Sequence, residues 1–325
     1  MAIATRLTRR LGITHPVISA PMAFAAGGRL AAAISNAGGL GLIGGGYGDD
    51  GWLKEQFLAA GNARIGCGFI TWSLKKQPHL LDAALARKPV ALFLSFDDPA
   101  AFAPKIKDAG VVLIQQVQTR RDAEVALDAG ADVIVAQGAE AGGHGERRAT
   151  LTLVPEVADL IAARAPGTLL CAAGGIADGR GLAAALMLGA DGALVGSRFW
   201  ASSEALVHAN MHSAALSATG DDTIRSCVMD IARKLEWPER FSCRVLKNPF
   251  TDRWHGHETE LAASADVEAV KWRKAWAEGD IDVANTFVGE AAGLIHAIEP
   301  AATILDRLVN EAEALLTGAG RLVER

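Results

Sequence analysis

The chain has 325 residues, half of them apolar, and a formal net charge of −5. That is enough for one large α/β barrel or two ordinary domains with a sizeable core, and the interspersed charges give no single-sign field for nucleic acid or an anionic membrane. The N-terminal Met1-Ala-Ile-Ala-Thr-Arg-Leu7 lacks the apolar core of a secretory signal, and no run of about 18 apolar residues offers a membrane span, so the expected compartment is the cytoplasm.

From Pro16 to Ser202 short apolar runs alternate with stretches of helical period. The strand runs are 17–20, 40–43, 65–69, 90–94, 111–115, 133–136, 169–172 and 193–195. The intervening helices are expected over 28–37, 51–60, 78–87, 99–109, 119–129, 153–164 and 179–188, with Thr119 and Asp178 placed as caps. Strands apolar on both faces, each returned by a helix, predict a parallel sheet, and eight of them permit closure into a (β/α)8 TIM barrel. A recurrent helix ending (Asn36-Ala-Gly38, Asp108-Ala-Gly110, Asp128-Ala-Gly130 and the variant Leu188-Gly-Ala190) is left-handed capping chemistry.

The pattern breaks over 203–280, where most of the tryptophans lie, and this segment is expected as a helical insertion over the barrel mouth. Ile304, Leu305, Leu308, Ala312, Leu315 and Leu316 recur at helical spacing, so 281–325 is expected to close the same domain, which spans 1–325.

The most telling motif is Ala136-Gln-Gly-Ala-Glu-Ala-Gly-Gly-His-Gly145, which follows the apolar run Asp132-Val-Ile-Val-Ala136. It sets His144 on a glycine-rich loop, with no bulky neighbour in sequence, at a strand's C-terminal end, where barrel enzymes do their chemistry. An imidazole titrates near neutral pH and suits proton transfer. Of the other histidines, His15 precedes the first strand, while His79, His208, His212 and His296 fall on helices or their ends. His255 and His257 form His-x-His without a carboxylate or cysteine signature, which favours a lid or solvent role over metal. Cys67, Cys171, Cys227 and Cys243 are widely spaced, with no zinc knuckle; Cys171 reads as a small buried hydrophobe. No metal site is expected.

Glycine clusters follow the last two barrel runs: Ala173-Gly-Gly-Ile176 and Gly196-Ser-Arg198. Their order matches the phosphate site that many such barrels build from these two loops. Ser197 would add a hydroxyl, and Arg198 would supply charge or face solvent. Gly39-Leu-Gly-Leu-Ile-Gly44 spells a dinucleotide fingerprint, but its glycines lie within a strand and no acidic partner follows, so that reading is rejected. Gly44-Gly-Gly-Tyr-Gly48 reads instead as a flexible loop at the barrel top. Ser19-Ala-Pro-Met22 is a proline-ended strand or a platform for a flat ring, and Gly66-Cys-Gly-Phe-Ile-Thr-Trp72 offers aromatics for a substrate wall. No serine-hydrolase elbow, P-loop or zinc-protease motif occurs. A phosphate cradle with one positioned base points to a phosphorylated redox cofactor.

With these residues in hand, the chain resembles the nitronate monooxygenase family, formerly called 2-nitropropane dioxygenases. The likeness is carried by Ala20-Pro-Met22, Gly39 to Gly44, Gly68-Phe-Ile-Thr-Trp72, Gln137 to His144, Ala173-Gly-Gly175 and Arg253-Trp-His-Gly256. The resemblance implies an FMN-dependent TIM-barrel oxidoreductase that converts an alkyl nitronate and O2, through an anionic flavosemiquinone, into a carbonyl compound and nitrite. By the same resemblance, Gly174, Gly175, Gly196 and Ser197 would hold the FMN phosphate, and Ala20, Pro21 and Met22 would flank the ring. Gln116, Gln137, Gly142 and Gly143 would complete its contacts. Gly68 stands where many relatives carry asparagine, so there the flavin contact would come from backbone or water. His144 matches the catalytic histidine, as base toward a neutral nitroalkane or as holder of the anionic nitronate. An FMN-dependent NAD(P)H:quinone reductase or enoyl-acyl-carrier reductase is the alternative on this scaffold, and a flavin-free lyase or isomerase barrel is a third reading. The expected partners are the small nitronate or nitroalkane and O2, with neither nucleic acid nor membrane; a homodimer is the assembly kept open.

Overall fold

The computed structural model describes residues 3–323; the first two and last two residues, at the outer ends of the leading and closing segments, lie outside it. Eleven strands are present among them: β1 (Val17–Ser19), β2 (Leu42–Gly46), β3 (Gly66–Ile70), β4 (Ala91–Ser95), β5 (Val112–Val117), β6 (Val133–Gln137), β7 (Gly143–Gly145), β8 (Leu169–Ala173), β9 (Gly192–Val195), β10 (Thr223–Ser226) and β11 (Ser242–Leu246). Eight of them run parallel in the order β1-β9-β8-β6-β5-β4-β3-β2. The Ile18–Leu40 bridge, with Ser19 N donating to Leu40 O at 2.9 Å, closes the first strand on the second. The fold is therefore a (β/α)8 TIM barrel.

Alternation along each strand divides the apolar residues into two layers. Ile18, Leu42, Phe93, Ile114, Val135, Cys171 and Leu194 fill the interior with Leu7 and Leu11, from the helix Arg6–Leu11 that plugs it. Ile43, Cys67, Leu92, Leu94, Leu113, Ile134 and Leu170 face outward against the helices. Cys171 is fully buried, as expected. Burying one such side chain contributes about 1.5–3 kcal/mol, so dozens of them outweigh any single polar feature.

The helix-ending glycines Gly38, Gly110, Gly130 and Gly189 all have φ between 70° and 99°, which is the left-handed geometry their motif implies. Thr119 caps Arg120–Asp128 in a capping box, and Asp178 accepts from Arg180 N and Gly181 N. One loop expectation is corrected. Gly44, Gly45 and Gly46 belong to β2, with a register shift between Gly44 and Gly46. A Cβ on Gly44 would lie 2.3 Å from Met22 O, and one on Gly45 would lie 2.7 Å from the Phe69 ring, so close packing rather than flexibility explains the run.

The 203–280 segment is not wholly helical. β10 and β11 pair antiparallel, and β11 takes β7 as its other neighbour, with Cys243 opposite His144. Around that sheet Val228, Met229, Val245, Phe250, Trp254, Leu261 and Trp272 form a separate apolar cluster. The helix Ala301–Gly318 packs Ile304, Leu305 and Leu308 onto the barrel's outer layer. No helix among the described residues is long and apolar enough to cross a membrane.

Candidate active site

A cavity of about 580 Å³ opens at the C-terminal ends of the barrel strands. Phe93 and Leu194, the top of the interior layer, form part of its floor. All thirteen positions singled out from the sequence line it: Ala20, Pro21, Met22, Gly68, Gln116, Gln137, Gly142, Gly143, His144, Gly174, Gly175, Gly196 and Ser197.

Between the ends of β8 and β9 the chain leaves donors free. The backbone N–H groups of Gly174, Gly175, Gly196 and Ser197 make no hydrogen bond among the described residues. Gly174 and Gly175 have φ of 105° and 72°, and a Cβ on Gly174 would stand 2.8 Å from Thr150 Oγ1. Ser197 Oγ accepts from Gly289 N at 2.9 Å and keeps its own proton to donate. Arg198 does neither thing expected of it. It is buried, donating to Glu299 at 2.6 Å and to the Ala201 and Ala297 carbonyls, so it ties the barrel to the closing segment.

At the end of β6, beside β8, Gln137 Oε1 accepts from Gln116 at 3.1 Å and from Gln118 at 2.9 Å. Those two bonds fix the Gln137 amide with its NH2 still unpaired in the cavity wall. Gly68 has no room for a side chain, because a Cβ would lie 2.4 Å from the Pro21 ring. Here the proline platform fills the space that an asparagine would need. Gly142 is glycine for a structural reason, since Val288 and Gly289 backbone would meet its Cβ at 2.6 Å. Phe69 and Ile70 line the cavity, but Trp72 does not; it packs behind Trp237 at 5.4 Å.

His144 has a different setting from the open loop its sequence suggests. Pairing with β11 turns the loop into β7, and Trp237 stacks on the imidazole with centroids 3.4 Å apart and planes 6° from parallel. Trp237 is itself held by donating to Tyr47 Oη at 3.1 Å; burial pushes the Tyr47 phenol up to about 12, so it stays neutral. His144 Nε2 lies 2.8 Å from Asp230 Oδ2, and the other carboxylate oxygen accepts from Arg233 at 2.7 Å. An ionised carboxylate only accepts, so Nε2 carries the proton and Nδ1 keeps its lone pair. Nδ1 has no partner among the described residues and is not sealed off. Burial dominates the imidazole's acidity and lowers its pKa, with Asp230 pulling the other way and Arg233 and Arg225 adding to the depression. His144 is therefore a neutral imidazole at physiological pH.

Asp230, Arg233 and Trp237 are the site residues that sequence reasoning missed. Asp230 and Arg233 sit three apart in the short, largely apolar helix Val228–Arg233, and that charged pair among buried neighbours was the available signal. His208 also reaches the cavity rim, with Nδ1 accepting from Asn210 N at 3.2 Å. His255 Nδ1 lies 3.0 Å from Ser226 Oγ, away from the cavity lining.

A barrel whose strand ends carry a buried imidazole and unpaired backbone amides in one cavity has the build of an enzyme acting on a ligand laid across its mouth. Comparison with known proteins gives the family: the family model for nitronate monooxygenase matches residues 4–60 and 74–311, and the chain belongs to this family of oxidoreductases. The nitronate monooxygenase npaC of Metarhizium robertsii is 35% identical, covering 93% of this chain and 92% of that one. A Mycobacterium tuberculosis protein named as an octahydroindene-carboxyl-CoA dehydrogenase is 35% identical over 71% of this chain and 65% of its own length. The structure of FabK from Thermotoga maritima superposes with a TM-score of 0.87 at 31% identity, covering 99% of this chain and 100% of that one.

Proposed function

We propose that this protein oxidises an organic nitronate with O2 to a carbonyl compound and nitrite, using FMN seated in the cavity. The observation that carries this reading is His144, neutral and buried, with Nδ1 free in the same cavity as four unpaired backbone donors. The residues fit the cofactor. The free N–H groups of Gly174, Gly175, Gly196 and Ser197 suit a phosphate, Pro21 and Met22 give an apolar platform, and the unpaired Gln137 amide offers donors to a flat heterocycle. Bound there, FMN would supply the electron-transfer chemistry that no side chain can.

The protein's own part is proton handling and exclusion of water. His144 Nδ1 takes the α-proton of a neutral nitroalkane, or faces the carbon of a nitronate already formed. Asp230 pins the tautomer and ring plane, and Trp237 covers the other face of the imidazole.

A reductase or dehydrogenase on the same scaffold is favoured by the likeness to FabK and to the mycobacterial dehydrogenase. One experiment separates the two. The FMN-loaded protein is mixed with propyl-2-nitronate in air and assayed for nitrite, and separately with NADH without oxygen. Nitrite release in step with acetone supports the proposal; rapid bleaching by NADH with no nitrite from the nitronate overturns it in favour of the reductase.

A further inference from the structure

We propose that Arg233 is the anion-binding residue of the outer cavity, and that the substrate it selects is an organic anion with a bulky, flat apolar body rather than a short alkyl chain. This rests on the oxidative reading above and adds its substrate class.

Arg233 is the last residue of the helix Val228–Arg233 and lines the cavity. Its Nε donates to Met229 O at 3.1 Å and its Nη2 to Asp230 at 2.7 Å. Nη1 has no partner among the described residues, although the side chain is only 11% exposed, and it is not sealed off. A guanidinium two-thirds committed to rigid partners, with the remaining N–H2 unspent, is oriented before any ligand arrives. The ring faces of Tyr47 and Phe287, at 5.8 and 5.5 Å from its central carbon, shield it from water. An anion reaching Nη1 therefore forms a charge-assisted bond in a poorly hydrated setting, where such bonds are strong.

The surrounding charges do not forbid a further anion. The Asp230 charge is shared between Arg233 and His144, while nearby Arg225, among the described residues, donates only to the carbonyls of Ala139, Ala141 and Ser242. Arg244 pairs with Glu290, and Glu140 is turned to Thr150.

The body of the substrate is read from the walls. Phe24, Tyr47, Phe96, Trp237, Trp276 and Phe287 line the cavity beyond the glycine floor. Phe24 and Phe96 have φ of 63° and 66°, a left-handed backbone that costs a bulky residue about 1–3 kcal/mol. That strain holds Phe24 against Tyr47 and Trp276, at 6.2 and 6.4 Å, with 49% of its surface still open. Leu206, also on the lining, is 46% exposed. A short nitronate would leave this apolar wall wet; an aromatic or fused-ring body would cover it.

The test is ligand binding to the FMN-loaded protein without turnover, followed through tryptophan fluorescence. The probes are acetate, 2-naphthoate and the neutral 2-naphthamide, the carboxylates standing in for the planar nitronate. The expected result is 2-naphthoate binding at least about tenfold more tightly than either acetate or 2-naphthamide, the gain of one charge-assisted bond and of ring burial. Arg233→Lys, whose single ammonium stays with Asp230, should bind naphthoate and naphthamide alike. Equal binding of naphthoate and naphthamide to the wild type overturns the anion site, and equal binding of naphthoate and acetate overturns the bulky body. Because no reaction is involved, naphthoate selectivity in a protein that releases no nitrite would defeat the oxidative reading and leave this one standing.

Discussion

Replacing Asp230 by asparagine separates the two things its carboxylate does, because the change keeps the size and one acceptor but removes the charge. The side chain is 4% exposed, bonded to His144 at 2.8 Å and Arg233 at 2.7 Å, so both partners feel the loss without relief from solvent. Deleting one member of a buried ion pair costs about 3–5 kcal/mol; with an amide oxygen retained, about 2–3 kcal/mol is expected. At about 2–4 °C per kcal/mol that lowers Tm by about 4–12 °C, which calorimetry resolves. On the catalytic side, a neutral acceptor holds Nε2–H about half as strongly as a carboxylate, roughly 1 kcal/mol, or about fivefold in kcat/KM toward a neutral nitroalkane. The pH profile gives the sharper readout. Asp230 raises the imidazole's pKa, so its removal lowers that pKa, a larger share of His144 is neutral in acid, and the acid limb of kcat/KM moves to lower pH as the plateau falls. An acid limb that stays put, or moves to higher pH, in a folded Asp230→Asn protein would refute the assignment of Asp230 as the positioning residue for His144.

Trp237→Leu should shift the same limb the opposite way, toward the ordinary histidine value of 6.5, because burial is the largest influence on His144 and the indole covers one face of its ring; the profile of nitroalkane oxidation against pH checks it. Gly174→Val should lower FMN retention on gel filtration by at least about tenfold, since φ of 105° strains any branched residue and the new Cβ would press on Thr150 Oγ1 at 2.8 Å beside the free amides; unchanged flavin content would place the phosphate elsewhere.

The eight barrel strands and the glycine turns were legible because their signals are local. A run such as Val133-Ile-Val-Ala136 needs both faces buried, and Gly174 and Gly175 after β8 take the positive φ of a turn, 105° and 72°. His144 was legible as a histidine at the barrel mouth, but its buried, carboxylate-paired setting was not. Its carboxylate partner is 86 residues further on, in a segment without a clean period, and the two meet only because β11 pairs with β7. The two strands of that segment were missed for a related reason: Thr223–Ser226 and Ser242–Leu246 carry arginines on their half-open faces, and their pairing depends on a partner strand of three residues in a glycine loop. The same excursion brings the carboxylate that raises the imidazole's proton affinity and the indole whose cover lowers it. Base strength in this barrel is thus set by how the 203–280 segment docks on β7, and a substitution that loosens that docking should change the acid limb of the profile before it changes the barrel.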